Sequence, residues 1–182
     1  MKKILITLAI GLLGIVVYLN QPKPSFDTIK APTVTYKQDP QILSEAKQLG
    51  IDVSKVNLEY TNDFKNVNLV DKSTVRGMFA QPNTIYIKPG ITDELRTLGH
   101  EYLHYIWYNN SIQETNRVSL QIRPVFLNPQ FKNLLSNYPQ DQSVLDNEEH
   151  SIVCTSISPY QLSDEINSYC NKLIPGRNLL LP

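Results

Sequence analysis

The chain has 182 residues, 41% of them apolar and 19% charged, enough for one modest domain with its own core and too little for two. Its 17 basic and 17 acidic residues cancel, so no overall field draws it to nucleic acid, and a nucleic-acid partner is not expected.

The N-terminus, MKKILITLAIGLLGIVVYLN, sets two lysines before an uncharged apolar run from Ile4 to Leu19. That run exceeds a signal-peptide core of about 7 to 15 residues and falls slightly short of the roughly 20 that span a bilayer. No small-x-small cleavage site follows it, and no early cysteine offers a lipid attachment point. Residues 1–20 are therefore expected to be an uncleaved transmembrane helix, with secretion after signal cleavage as the alternative. Lys2 and Lys3 would stay cytoplasmic, which puts the remainder outside the cytoplasm.

QPKPSFDTIKAPTVTYKQDP, with four prolines in residues 21–40, reads as an extended tether over 21–39, leaving 40–182 as the folded domain. DPQILSEAKQLGI then carries apolar Ile42, Leu43, Ala46 and Leu49 at helical spacing and ends at Gly50. Val56, Leu58 and Tyr60 alternate with polar neighbours, and KNVNLV repeats the pattern, so both read as half-buried strands. TVRGMFA and TIYIKPG flank QPN, which predicts a hairpin turned at Pro82 and Asn83; Gly77 within its first strand suggests a bulge or a close backbone approach.

From Thr92 the period becomes helical, with Thr92 as the expected N-cap and Asp93 and Glu94 in the first turn. Further helices are read in TNRVSLQIRPVFLNPQFKNLLSNYP, DQSVLDNEEHSIVCTSI and SPYQLSDEINSYCNKLIPG, bounded or interrupted by prolines. Strands first and helices after predict an α+β fold: a small antiparallel or mixed sheet followed by a helical subdomain. Cys154 and Cys170, the only cysteines, form a candidate disulfide in an exported domain, the alternative being two buried thiols.

LRTLGHEYLHYIWYN contains His100-Glu101-Tyr102-Leu103-His104, an H-E-x-x-H pattern that a shuffle of this composition yields on the order of once in several hundred. On a helix, positions four apart share a face, so the imidazoles of His100 and His104 can converge on one ion, expected to be Zn²⁺. Glu101 lies roughly 100° further round, able to reach a water there and act as general base. The bland alternative is a pair of ring-stacking histidines on a tyrosine-rich helix. Gly99 in the helix interior calls for a close packing partner, and Trp107 reads as core. Catalytic zinc needs a third protein ligand, and the variant with a third histidine six residues beyond the second is excluded by YIWYNNSIQE.

HEYLHYIW followed by DNEEHSIVCTSISPYQLSDEINSYC resembles short, membrane-anchored bacterial metallopeptidases that carry H-E-x-L-H-A and then N-E-L-H-S-x-x-G-T. The wider setting is the gluzincin group, similar to thermolysin, in which a second helix supplies the glutamate of an N-E pair as third zinc ligand. The likeness spans Leu95 to Tyr169 and implies a minimal zincin-like domain hydrolysing peptide or protein substrates, with His100, His104 and Glu148 on the metal and Glu101 as base. Glu149 stands where the pattern has an apolar residue, so Glu148 and Glu149 compete for the third position. Cys154 stands where the pattern has glycine, which would suit a bond to Cys170. His150 is a candidate for orienting a ligand or donating to the oxyanion, and Tyr102, Tyr105, Tyr160 and Tyr169 are unranked oxyanion donors. The other readings are a catalytically silent exported scaffold and a metal-dependent hydrolase of a non-peptide envelope bond.

Overall fold

The computed structural model describes residues 40–64 and 74–181. The expected transmembrane helix, the tether and the expected strand KNVNLV lie outside the described residues, among which no helix is long and apolar enough to cross a membrane. The described part is α+β: one small mixed sheet and a set of helices packed on one of its faces.

Helix α1 spans Pro40–Gln48 and stops at Gly50, whose φ of 82° suits glycine. A Cβ there would also come within 2.5 Å of Pro175 Cδ. A short 3₁₀ turn, Val53–Lys55, capped by the Asp52 carboxylate, leads into β1, Asn57–Tyr60. The hairpin of β2, Gly77–Ala80, and β3, Thr84–Ile87, turns through Gln81, Pro82 and Asn83 as expected. β3 is central: β2 pairs with it antiparallel and β1 pairs with it in parallel, Leu58 opposite Ile85 and Tyr60 opposite Ile87. It is accordingly buried on both faces at Ile85, Tyr86 and Ile87. One face joins the main core through Leu58, Tyr60, Ile85 and Ile87; the other builds a smaller cluster from Phe64, Val75, Met78, Ala80 and Tyr86.

Helix α2, Glu94–Asn109, lies on the main-core face. Its N-cap is Asp93 and not Thr92, and Asp93 makes no side-chain cap bond, because its carboxylate is taken by Arg76 at 2.5 Å and Arg96 at 2.7 Å. Gly99 has its close packing partner: a Cβ there would fall 2.9 Å from Leu180 Cδ1 of the C-terminal segment. Leu98, Leu103 and Trp107 enter the core with Ile152 and Val153. Each such apolar side chain contributes about 1.5–3 kcal/mol on burial.

Helix α3, Ile112–Ile122, starts at a Ser111 cap and gives way at Pro124 to a 3₁₀ turn and the short α4, Pro129–Lys132. Helix α5, Gln142–Ser156, is capped by Asp141 and packs across α2. Helix α6, Asp164–Leu173, is tied to α5 by the Cys154–Cys170 disulfide. The C-terminal end of α5 is closed by Arg177, fully buried, whose guanidinium donates to the carbonyls of Val153, Cys154 and Ile157 and to Asn167 Oδ1. A cation against the last carbonyls of a helix satisfies groups that have no partner within the helix and opposes its dipole.

Candidate metal centre

The crossing of α2 and α5 brings three donor atoms together. His100 and His104, one turn apart, set their Nε2 atoms 3.1 Å from each other, with ring planes at 85°, edge to face and not stacked. Glu148 of α5 reaches both, Oε2 to His100 Nε2 at 3.2 Å and Oε1 to His104 Nε2 at 3.4 Å. Four ligands held tetrahedrally at ~2.0–2.1 Å from an ion are about 3.3–3.4 Å apart, so this triangle already has the edge lengths a bound ion requires. Two imidazoles and one carboxylate make a group that could hold a metal ion.

Second partners fix the orientation. His104 Nδ1–H donates to Asn147 Oδ1 at 2.9 Å, with the Ser151 hydroxyl 3.2 Å from the same nitrogen, which leaves Nε2 facing the other two donors. Asn147, immediately before Glu148, thus orients one donor while its neighbour supplies another. Charges follow the same geometry in the metal-free protein. Burial alone would depress His104, but the Glu148 carboxylate, with smaller help from Glu101 and Asn147, raises it to about 9. Burial would raise Glu148, and the two histidines bring it down to about 2.

Glu101 is buried, with Oε2 4.0 Å from His104 Nε2. Burial pushes its carboxyl up against the opposing pull of His104 and His100, and it accepts the backbone N–H of Phe79. The hydrogen bond from Lys88 N–H to the Arg76 carbonyl, 2.7 Å, fixes the ladder phase, so Met78 and Ala80 bond to β3 while Gly77 and Phe79 turn their polar groups to the outer edge. Gly77 answers its sequence reading as a close approach: a Cβ would lie 2.6 Å from Thr97 Cγ2, 2.9 Å from Glu101 Cγ and 3.0 Å from Glu101 Oε1. Only a bare backbone lets the edge strand lie against the glutamate.

The chain matches no family model, no curated protein and no solved structure.

The remaining sequence candidates fall elsewhere. Glu149 points away from the triangle toward Arg123 and Asp146; burial, aided by Asp146, raises its carboxyl to about 7 and its Oε2 has no hydrogen bond. His150 is fully buried, its ring 5.0 Å from that of Trp107 and its Nε2 2.9 Å from the Tyr169 hydroxyl. Burial, then the charges of His104 and His100, brings it down to about 3, so it stays neutral. Tyr102 directs its hydroxyl to the Asp52 backbone, Tyr105 stacks beside it, and Tyr160 is fully exposed. The phenol that reaches the cluster, among the described residues, is that of Tyr138, hydrogen-bonded to Glu148 and pushed far above the ordinary phenol range by burial. No spacing in the sequence singles out Tyr138; its role depends on the turn that carries it into α5.

Proposed function

We propose that the chain is a gluzincin-like zinc peptidase, with His100, His104 and Glu148 as ligands and Glu101 as general base. The observation that carries this reading is the approach of Glu148 to both imidazole nitrogens, 3.2 and 3.4 Å, beside a buried glutamate 4.0 Å from one of them. Zn²⁺ in that triangle would supply Lewis acidity to a carbonyl and bring the pKa of water toward ~7. Glu101 would take the proton of the attacking water on Oε2 and return it to the leaving amine nitrogen. Tyr138 Oη, hydrogen-bonded to Glu148, would donate to the developing oxyanion. The exposed polar groups of Gly77 and of the Phe79 carbonyl would pair with an extended substrate, as a strand is added to a sheet edge.

The apolar N-terminal run and the disulfide between Cys154 and Cys170 both suit an extracytoplasmic domain held at the membrane. The test joins elemental zinc analysis to a peptidase assay on wild type and Glu101→Gln. Zinc in both proteins with turnover in wild type alone is expected. A zinc-containing wild type no more active than Glu101→Gln against a broad peptide library would leave the scaffold reading in its place.

A further inference from the structure

By the N-terminal end of α2 lies a cavity of about 410 Å³, open to solvent and lined by Thr74, Val75, Arg76, Lys88, Ile91 and Thr92. Arg76 and Lys88 are directly opposed across the hairpin, joined by the backbone hydrogen bond of 2.7 Å between them. Like charges in such a pair repel unless an anion is shared. The carboxylate at hand, Asp93, is divided between Arg76 and Arg96, and among the described residues no acidic side chain forms an ion pair with Lys88. Among the described residues that line the cavity, Arg76 and Lys88 are the charged ones.

The cavity is positioned relative to the base by covalent geometry. Arg76 adjoins Gly77, the residue whose backbone lies against Glu101, and Arg96 is one helical turn before His100 on the same face of α2. Antiparallel is the commoner pairing of neighbouring strands, and a chain so paired with β2 travels from Phe79 past Gly77 toward Arg76. At ~3.4 Å per residue it reaches the cavity about two residues beyond the bond held at Glu101, on the C-terminal side.

We infer that this cavity, flanked by Arg76 and Lys88, is a specificity site for a carboxylate of the peptide substrate, an acidic side chain or a free C-terminus, about two residues C-terminal to the cleaved bond. The inference rests on the peptidase reading for its substrate. The Arg76 and Lys88 cations would receive the carboxylate, with the Thr92 hydroxyl available as a further donor. Because the cavity is open, the selectivity is screened by salt.

Two measurements on the full chain, purified in detergent and loaded with zinc, test it. In the first, cleavage sites in a random peptide mixture are read by mass spectrometry for wild type, Lys88→Gln and Lys88→Glu. Acidic residues or free C-termini should be favoured about fivefold on the C-terminal side in wild type, with the preference lost in Lys88→Gln and turned toward basic residues in Lys88→Glu. A misfolded variant does not reverse a preference. Absence of an acidic preference, its appearance on the N-terminal side, or its persistence in both variants overturns the inference while leaving the peptidase intact. In the second, N-acetylglutamate is titrated against isotopically labelled protein. It should shift the amide resonances of Lys88, Ile91 and Thr92 in wild type and not in Lys88→Gln, and N-acetylglutaminamide, which has no carboxylate, should shift neither. This readout needs no turnover: equal shifts with both ligands, or none, refute the site, whereas the expected shifts with no cleavage of any peptide retain the anion site and remove the peptidase.

Discussion

Exchanging Glu148 and Glu149 for glutamine, one at a time, separates two adjacent carboxylates by function. In the metal-free protein Glu148 holds His104 at about 9 against an ordinary 6.5, although burial works in the opposite direction. At 1.36 kcal/mol per pH unit that difference is about 3 kcal/mol. Coulomb's law for unit charges at the 3.4 Å separation gives about 5 kcal/mol at an effective dielectric constant of 20, and burial accounts for the lower net figure. A divalent ion feels the same carboxylate more strongly than a singly charged imidazolium does. Glu148→Gln should therefore weaken zinc binding at least ~100-fold, the factor equivalent to ~3 kcal/mol. Glu149→Gln, which removes a carboxyl directed toward Arg123 and Asp146, should change it less than about threefold. Competition with a chromophoric chelator measures both, and NMR titration of the zinc-free proteins should show His104 falling below its ordinary 6.5 in Glu148→Gln alone. Zinc held within threefold of wild type by Glu148→Gln, or lost equally in Glu149→Gln, would refute the triangle as the metal centre.

Zinc-free protein should be most stable near pH 4.5, read as Tm by circular dichroism after chelation. Below it, Glu148, depressed from 4.5 to about 2, and His150, depressed from 6.5 to about 3, lose their contributions as pH falls. Above it, the His150 slope is offset by that of Glu149, raised to about 7, while Glu101, raised by burial, and from pH 6.5 His104, raised to about 9, lose their contributions as pH rises, so Tm should fall through pH 9. Asn147→Ala should weaken zinc binding by about 10- to 100-fold while the fold persists, because His104 loses the partner that orients it. Gly77→Ala places a methyl 2.6 Å from Thr97 and 2.9 Å from Glu101, and should lower peptidase turnover by about 100-fold with zinc retained. Arg177→Met leaves three carbonyls at the end of α5 without their donor and should cost about 3 kcal/mol, seen as a Tm lower by roughly 10 °C.

What could be read in advance was what depends on one local period. The facing of His100 and His104 follows from helical spacing alone, and the hairpin from its turn residues and alternation. The central position of β3 did not follow, because the parallel pairing of Asn57–Tyr60 with Thr84–Ile87 joins segments more than 20 residues apart. Likewise the order of Glu148 over Glu149 depends on the rotational phase of α5 as it crosses α2, which neither helix encodes separately. Thr92 satisfied the local rule for a cap, yet the helix begins after Asp93, whose carboxylate is drawn to Arg76 and Arg96 instead. Tyr138 and Arg177 owe their roles to contacts made only when distant segments meet.

The donor triangle can also be viewed as a cross-link. An ion joining His100 to Glu148 would close a loop of 48 residues, and the disulfide already closes one of 16. On the chain-entropy scale used for disulfides these closures restrict the unfolded chain by about 4 and 3 kcal/mol. The sulfur bond permanently couples α5 to α6, whereas the ion would couple α2 to α5 only while zinc is available. Zinc supply would then set how much of the domain stays folded, independently of whether a peptide is ever cut.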